Sequence, residues 1–182
     1  MPDNASFDVT TGKLLLSGTV TNPITIKSTN PGVIYWDRIR LNGQLSAMVG
    51  STITYTTFQN GGYDPSAINL GMAYIYADCS GTNCATPTIQ NNTFTSPGNF
   101  GIGFGQSGTF GYSAHANGTM TGNTITGARF APVHINANWV NRLGTGNLYT
   151  GNNTTATAGQ YGVRVNVGNN VFETQTAGRR RP

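Results

Sequence analysis

Charged residues are scarce in this sequence, and acids are scarcer than bases. Only 9% of the 182 residues are charged, and six residues are acids. Glycoside hydrolases usually employ two carboxylates at a defined separation. Of the six acids, only Asp37 and Asp64 lie in adjacent coils of the repeat described below. Asp64 precedes Pro65 and suits a turn, and Asp37 stands beside Arg38 and suits a surface charge. The sequence therefore argues against a two-carboxylate glycosidase.

The net charge of +4 is concentrated at the C-terminus. Arg179, Arg180 and Arg181 stand together there, so the rest of the chain carries a net charge of +1. Nucleic-acid-binding domains spread Lys and Arg over one face, often among aromatic residues, whereas the other arginines here are isolated. We therefore expect no nucleic-acid partner. Residues 177–182 are interpreted as a solvated basic tail, with a polyanion anchor or a processing remnant as alternatives.

The chain has two cysteines and no long apolar run. Cys79 and Cys84 flank a turn-rich segment that can bring the sulfurs together, so we expect a local disulfide and an extracellular or cell-surface location. A metal site is the less favoured alternative, because two thiolates supply half of a tetrahedral shell and neither His115 nor His134 has ligand spacing to them. No apolar run approaches the roughly 20 residues of a membrane span. No cofactor is implied.

Glycine, threonine and asparagine dominate what is present. The chain holds 25 Gly, 27 Thr and 21 Asn, residue types that disfavour helix interiors. Aromatic residues make up 10% of the chain, too many for a sequence that stays disordered for lack of apolar surface. The composition predicts an ordered, single-domain, all-β protein.

Two short signatures alternate along the chain with a period of about thirty residues. The first signature is a pair of apolar residues around one outward-facing position, and the second ends in an apolar residue two places after a small polar one. The first occurs at Ile39–Leu41, Ile68–Leu70, Ile102–Phe104, Val133–Ile135 and Val163–Val165, and the second at Thr56–Phe58, Asn92–Phe94, Asn123–Ile125, Asn147–Tyr149 and Asn170–Phe172.

This period predicts a parallel β-helix, a solenoid of about five to six coils in which each coil pairs with its neighbours. Apolar residues five apart, such as Ile53 and Phe58, can both point inward only if the chain bends between them. Asn suits such a bend, and Asn at equivalent bends can stack into a hydrogen-bonded ladder. A β-sandwich with coincidental spacing is the alternative.

The signatures also resemble those of a known family. Trp36–Leu41, then Ser51–Gly62, then the Asn-Asn-Thr-Phe copies are similar to secreted bacterial right-handed parallel β-helix proteins of the pectate-lyase-like superfamily. The resemblance covers roughly residues 33–174 and implies a single-stranded, right-handed helix. We assign the helix to residues 33–176 and interpret residues 1–32, which contain the apolar stretches Leu14–Leu16 and Ile24–Ile26, as a partial coil or cap. The resemblance leaves the function open, because this fold serves lyases, glycosidases, phage spikes and adhesins alike.

The outward positions of the first signature form the main candidate site. Consecutive coils should place His134 and Arg164 about 5 Å apart. A polysaccharide lyase that cleaves uronate polymers needs one base and a cation for the carboxylate, so these two residues are its catalytic candidates. No acid is expected beside them, and no metal. The outward column is Arg40, Asn69, Gly103, His134 and Arg164. All of these except Gly103 are binding candidates, and Arg129 or Arg142 would stand near the lyase pair.

Aromatic residues outside the core signatures are further binding candidates. Exposed rings can stack on sugars or anchor a protein, although the favoured interpretation is that these rings seal coil ends and loop bases. The set is Trp36, Tyr74, Tyr76, Phe110, Tyr112 and Trp139, with Tyr112 and Trp139 as the preferred binding residues.

The leading functional hypothesis is a non-enzymatic structural or adhesive module. It would present Thr, Asn and aromatic side chains to a surface or a glycan, or assemble end to end with other copies of itself. The alternatives are the uronate lyase and a trimeric phage receptor-binding spike.

Overall fold

The computed structural model describes residues 1, 5–29, 36–42, 50–62, 73–78, 87–104, 119–136, 140, 143–152, 161–167 and 170–175. Strands dominate these ranges, because alternating Thr and apolar side chains suit a pleated surface that is buried on one face. In chain order the strands are β1 (Phe7–Val9), β2 (Leu15–Ser17), β3 (Ile24–Lys27), β4 (Ile39–Asn42), β5 (Thr52–Thr54), β6 (Thr56–Gln59), β7 (Ala73–Asp78), β8 (Thr88–Gln90), β9 (Thr93–Thr95), β10 (Phe100–Phe104), β11 (Met120–Thr121), β12 (Thr124–Thr126), β13 (Ala131–Asn136), β14 (Leu148–Thr150), β15 (Tyr161–Val167) and β16 (Asn170–Gln175).

The strands form three sheets, which the chain visits in turn. Sheet A has the order β1-β4-β7-β10-β13-β15-β16, sheet B the order β2-β5-β8-β11, and sheet C the order β3-β6-β9-β12-β14. Neighbours pair in parallel, except that β16 runs antiparallel to β15. One passage through the sheets is one coil, so the chain is a parallel β-helix, as the repeat predicts. The right-handed winding implied by the resemblance stays a prediction.

Residues 1–32 supply one strand to each sheet. β1 pairs with β4, β2 with β5, and β3 with β6. This segment is therefore the first coil of the stack. β4–β6, β7–β9 and β10–β12 form the second, third and fourth coils, and β13 with β14 forms the fifth.

The core runs along the axis of the stack and consists of rows of inward-facing side chains. In sheet C, Phe58, Phe94 and Ile125 occupy equivalent positions and are fully buried. The rings of Phe58 and Phe94 stack with their centroids 4.9 Å apart and their planes 8° apart. Each such side chain contributes about 1.5–3 kcal/mol by leaving water. The rows therefore hold consecutive coils together.

Two aromatic residues outside the signatures complete this core. Trp36 and Tyr74 are fully buried, with their rings 5.1 Å apart. The Trp36 indole donates to the Gln59 carbonyl at 2.9 Å, and the Tyr74 hydroxyl donates to the Thr95 carbonyl at 2.8 Å. A Cβ on Gly61 would lie 2.2 Å from the Trp36 ring. Both aromatic side chains are therefore packed in the core. This agrees with the favoured interpretation that they serve packing and not binding.

Between sheets B and C the chain bends at a single residue with positive φ. This residue is Tyr55 in the second coil (φ 46°), Asn91 in the third (φ 55°) and Gly122 in the fourth (φ 64°). The bend lets Ile53 and Phe58, five residues apart, both face the core. The predicted bend is confirmed, and the left-handed residue is Asn in only one of these three coils.

The predicted asparagine ladder lies directly after these bends. The Asn92 side-chain amide donates to Oδ1 of Asn123, and the Asn123 amide donates to Oδ1 of Asn147, both at 3.0 Å. The same amides donate to the carbonyls of Ile53 and Ile89 at 2.8 Å. Because buried amides are costly unless paired, the ladder fixes the register of successive coils.

Two predicted copies of the signatures do not occupy the strands expected of them. In sheet A the strand between β4 and β10 is β7, whose Ile75-Tyr76-Ala77 aligns with Ile39–Leu41 and Ile102–Phe104. The expected Ile68–Leu70 lies outside the described residues. The last copy, Asn170–Phe172, lies in β16 and forms a hairpin with β15 instead of a further strand of sheet C. The two residues between β15 and β16, Gly168 and Asn169, are a pair typical of hairpin turns.

Candidate functional site

The outward positions of sheet A form a cross-strand column. His134 pairs with Arg164 on the next strand, as the sequence predicts, and Gly103 pairs with His134 on the other side. Tyr76 takes the position expected for Asn69, between Arg40 and Gly103. Asn69 itself lies outside the described residues. From the first coil to the last strand the column is Asp8, Arg40, Tyr76, Gly103, His134, Arg164 and Glu173.

The middle of this column is buried, contrary to the expectation of an exposed ridge. Tyr76 is 6% exposed and His134 is 2% exposed. The Phe100 ring lies 4.8 Å from the imidazole of His134 and 5.9 Å from the Phe130 ring. Phe100 fits there because it aligns with two small residues, Ala73 and Ala131, on the neighbouring strands. A second apolar cluster therefore forms beside the column.

Burial of His134 changes what the column can do. A general base must come within hydrogen-bond reach of the proton that it abstracts, and a polymer has no access to a side chain with 2% exposure. Arg129, a candidate helper, has its guanidinium 5.0 Å from the centre of the Phe130 ring. The described geometry therefore gives no support to His134 as the base of a lyase.

Acids stand at both ends of the column, where none was expected. Asp8 aligns with Arg40, and their side chains form an ion pair of 4.0 Å. Glu173 aligns with Arg164 in the antiparallel hairpin. Asp8 was missed because Phe7-Asp8-Val9, although it fits the first signature, lies in the segment interpreted as a partial coil or cap, and Glu173 was missed because β16 was assigned to another sheet. The Asp8–Arg40 pair stabilises the sheet weakly, because both side chains are partly exposed to water.

Several predicted site residues lie outside the described residues. These are Tyr112, Trp139 and Arg142, together with the predicted disulfide partners Cys79 and Cys84.

A more regular surface lies on the outer side of sheet C, which we call the threonine face. Outward positions alternate with the buried row, so each strand offers two of them. One column holds Thr25, Thr57, Thr93, Thr124 and Leu148, and the other holds Lys27, Gln59, Thr95, Thr126 and Thr150. Seven of the ten positions are therefore threonine.

The threonine face is an evenly spaced array of hydroxyl and methyl groups. Neighbouring coils repeat at about 4.8 Å and alternate positions along a strand at about 6.6 Å. Thr is stiff at χ1, so these groups are held in place. No hydrogen bond within the described part of the chain uses any of the seven hydroxyls. Lys27, in the first coil, is the one charged residue among the ten positions.

The outer side of sheet B is less regular. Its aligned outward positions include Leu15, Thr52 and Thr88 in one column and Ser17, Thr54 and Gln90 in the other. Two of its polar groups are already used, since the Thr54 hydroxyl bonds the Leu16 carbonyl at 3.5 Å and the Gln90 amide bonds Thr119 at 3.2 Å. Sheet B therefore offers a matched comparison for the threonine face.

Burial raises the pKa of Tyr149 to about 12. This phenol continues the row of Phe94 and Ile125 at the C-terminal end of sheet C. Desolvation disfavours the phenolate, so the phenol stays protonated at neutral pH.

Metal and membrane signals are absent from the described ranges. Within these residues, no three His, Cys, Asp or Glu side chains are grouped so that they could hold a metal ion. Nor does this part of the chain contain a helix long and apolar enough to cross a bilayer.

No protein-family model, curated protein or solved structure matches this chain. The resemblance to the pectate-lyase-like superfamily rests on the sequence signatures and stays a prediction. Function must therefore be argued from the surfaces of the molecule.

Proposed function

We propose that this protein is a non-enzymatic adhesive module that works outside the cell or on its surface and binds ordered, uncharged polysaccharide through the threonine face. The observation that carries the proposal is the array of seven threonine hydroxyls that make no hydrogen bond within the described residues. Such groups can donate to and accept from the hydroxyls of a sugar polymer.

The spacing of the array supports a polymer that runs along the stack. Hydroxyls recur at about 4.8 Å in that direction, a step similar in length to one sugar ring. Each column can therefore contact successive sugar rings of one polysaccharide chain, and the two columns together can contact one broad face of that polysaccharide. Individual hydrogen bonds to solvent-exposed groups are weak, so affinity comes from repetition along the array.

The charge distribution supports a neutral ligand over an acidic one. Thr57, Thr93 and Thr124 carry no charge, and Lys27 stands at the edge of the array in the first coil. A polymer of uronates would need cations along its length. The burial of His134 likewise gives the alternative lyase activity no support.

Co-sedimentation with insoluble cellulose, chitin and starch tests this proposal. The variant Thr93→Val/Thr124→Val keeps side-chain shape and removes two adjacent hydroxyls. It should weaken binding by about tenfold, since each lost hydrogen bond contributes about 0.5–1.5 kcal/mol. The matched variant Thr52→Val/Thr88→Val, on adjacent coils of sheet B, should bind like the wild type.

Three results would overturn the proposal. They are wild-type protein that binds none of the polysaccharides, equal loss of binding in both variants, and adsorption to ice crystals without adsorption to any polysaccharide. Shortening of a soluble uronate polymer such as polygalacturonate, with release of unsaturated products, would instead establish the lyase.

A further inference from the structure

The strands beneath the threonine face are stacked with little twist. Neighbouring strands of a sheet usually rotate against each other by about 20–25°. Phe58 of β6 and Phe94 of β9 occupy equivalent positions, and the planes of their rings are only 8° apart. A rotation of the usual size between these strands would turn one ring against the other. The ring planes therefore indicate that β6 and β9 are almost untwisted and that the outward positions above them are level.

The asparagine ladder accounts for this flatness. In the step from Asn92 to Asn123, the side-chain amide donates to Oδ1 at 3.0 Å and the backbone amide donates to the same atom at 3.1 Å. The step from Asn123 to Asn147 repeats both distances. Equal geometry at each step means that each coil follows the previous one almost by translation alone. Side-chain ladders of this kind hold a sheet flat, and these three asparagines directly precede β9, β12 and β14.

A flat face favours a straight polymer over a wound one. Sheet C has five strands, so each outward column extends over about 19 Å. A straight polymer laid along a column keeps contact with every coil, whereas a helical polymer turns its rings away from the face after each contact. Because affinity grows with the number of simultaneous contacts, the straight polymer binds more tightly. Neutral sugar polymers with β-1,4 linkages are straight ribbons, and those with α-1,4 linkages wind into helices.

The two columns suit the two edges of such a ribbon. In a β-1,4-linked ribbon each ring is turned over relative to the previous one, so a given hydroxyl emerges alternately at one edge and at the other. The third coil offers Thr93 and Thr95, and the fourth offers Thr124 and Thr126. Both edges of the ribbon therefore meet the same residue type, and successive rings are bound alike although their orientations alternate.

We infer that the ligand of the threonine face is a single ribbon of β-1,4-linked neutral sugars, such as a chain of cellulose or chitin, that lies along the stack. This inference rests on the proposed function, since the threonine face must bind polysaccharide at all. One polysaccharide chain then contacts both columns with about one ring per coil, so about five rings fill the site.

Binding to ribbons and to helices is compared by co-sedimentation. The protein should bind cellulose and chitin at least about tenfold more tightly than starch granules, because a helix contacts fewer coils at once.

Soluble β-1,4-linked glucose oligomers of two to six rings then compete with cellulose. The concentration needed for half-displacement should fall with each added ring up to about five and change little from five to six. Oligomers of α-1,4-linked glucose with the same numbers of rings are the matched control and should not compete.

A pair of hydroxyls two coils apart tests the direction of the polymer. Thr57→Val/Thr124→Val removes the first-column hydroxyls of the second and fourth coils. It should weaken binding of the five-ring oligomer as much as Thr93→Val/Thr124→Val does, by about tenfold, since a chain along the stack reaches all three coils. Circular dichroism confirms that both variants are folded.

The possible failures are distinguishable. Equal binding to starch and cellulose, or competition by the α-linked oligomers, would overturn the ribbon and leave the proposed function standing. Displacement that does not depend on ring number, failure of every oligomer to displace the protein from cellulose, or a Thr57→Val/Thr124→Val variant that binds like the wild type would overturn the single chain along the stack. Absence of binding to all three polysaccharides would overturn the proposed function and this inference together.

Discussion

Equivalent positions in the first and second coils differ in exposure although their side chains are alike. Ile39, Ile53 and Phe58 of the second coil are buried, whereas Phe7, Leu16 and Ile26 of the first coil are partly or largely exposed. Both coils have one strand in each sheet. The difference arises because the second coil has a neighbour on each side. In this molecule, burial therefore comes from stacking and local sequence alone does not supply it.

The largest expected contrast is between two phenylalanines of the inward rows. Phe94→Ala should lower the free energy of unfolding by about 3–5 kcal/mol, because it opens a cavity beneath the stacked Phe58 ring. Phe7→Ala, at a position already 49% exposed, should cost less than about 1.5 kcal/mol. Urea unfolding at low protein concentration measures both. Equal losses would show that the first coil is as closed as the third.

The second contrast concerns the asparagine ladder. Asn123 accepts from the backbone and side-chain amides of Asn92 and donates to the Ile89 carbonyl and to Asn147. Asn123→Ala should lower the free energy of unfolding by about 3 kcal/mol, since it leaves several buried groups without partners.

Asn147, the half-buried last member of the ladder, is the control for Asn123. Water can replace part of its bonding at the end of the row, so Asn147→Ala should cost about half as much. A larger loss at Asn147 than at Asn123 would contradict a ladder whose centre is better shielded than its end.

Some parts of the fold and of the candidate site follow from the sequence, and others do not. The neighbouring positions of His134 and Arg164 follow from a signature that both strands carry, and the ladder follows from the regular recurrence of Asn. Tyr76 was missed because Ala77 replaces the second large apolar residue of the signature. The hairpin was missed because Asn170–Phe172 in β16 fits the second signature. The sequence pair Gly168-Asn169, which is typical of hairpin turns, was the signal that could have indicated it.

Burial of His134 could not be predicted from the signature. It depends on the Phe100 ring, which reaches the imidazole from a position two residues outside the apolar pair. The threonine face, by contrast, was available in the sequence as Thr93-Phe-Thr95 and Thr124-Ile-Thr126. Its significance depends on register, because only aligned coils turn these residues into two columns.

A smaller, pH-dependent effect should appear at the C-terminal end of the inward row. The pKa of Tyr149 is about 12 in the folded protein, above its ordinary value of 10.0. The unfolded chain therefore loses this proton first, so the stabilisation is complete below pH 10, declines as pH rises toward about 12 and is absent above that.

Tyr149→Phe should remove this pH dependence. The slope of the free energy of unfolding between pH 10 and about pH 12 should flatten, by about 2–3 kcal/mol across the interval. Urea unfolding at several pH values, with phenolate absorbance as a second readout, measures the effect. An unchanged slope would mean that Tyr149 is accessible to water.

Hydrogen exchange of the backbone amides tests most directly the claim that burial in this molecule comes from the stacking of coils. The account predicts that the amides of β6 and β9, which have a paired strand on each side, exchange slowly, whereas the amides of β1, β2 and β3 exchange faster. Exchange in the first coil as slow as that in β6 and β9 would contradict it.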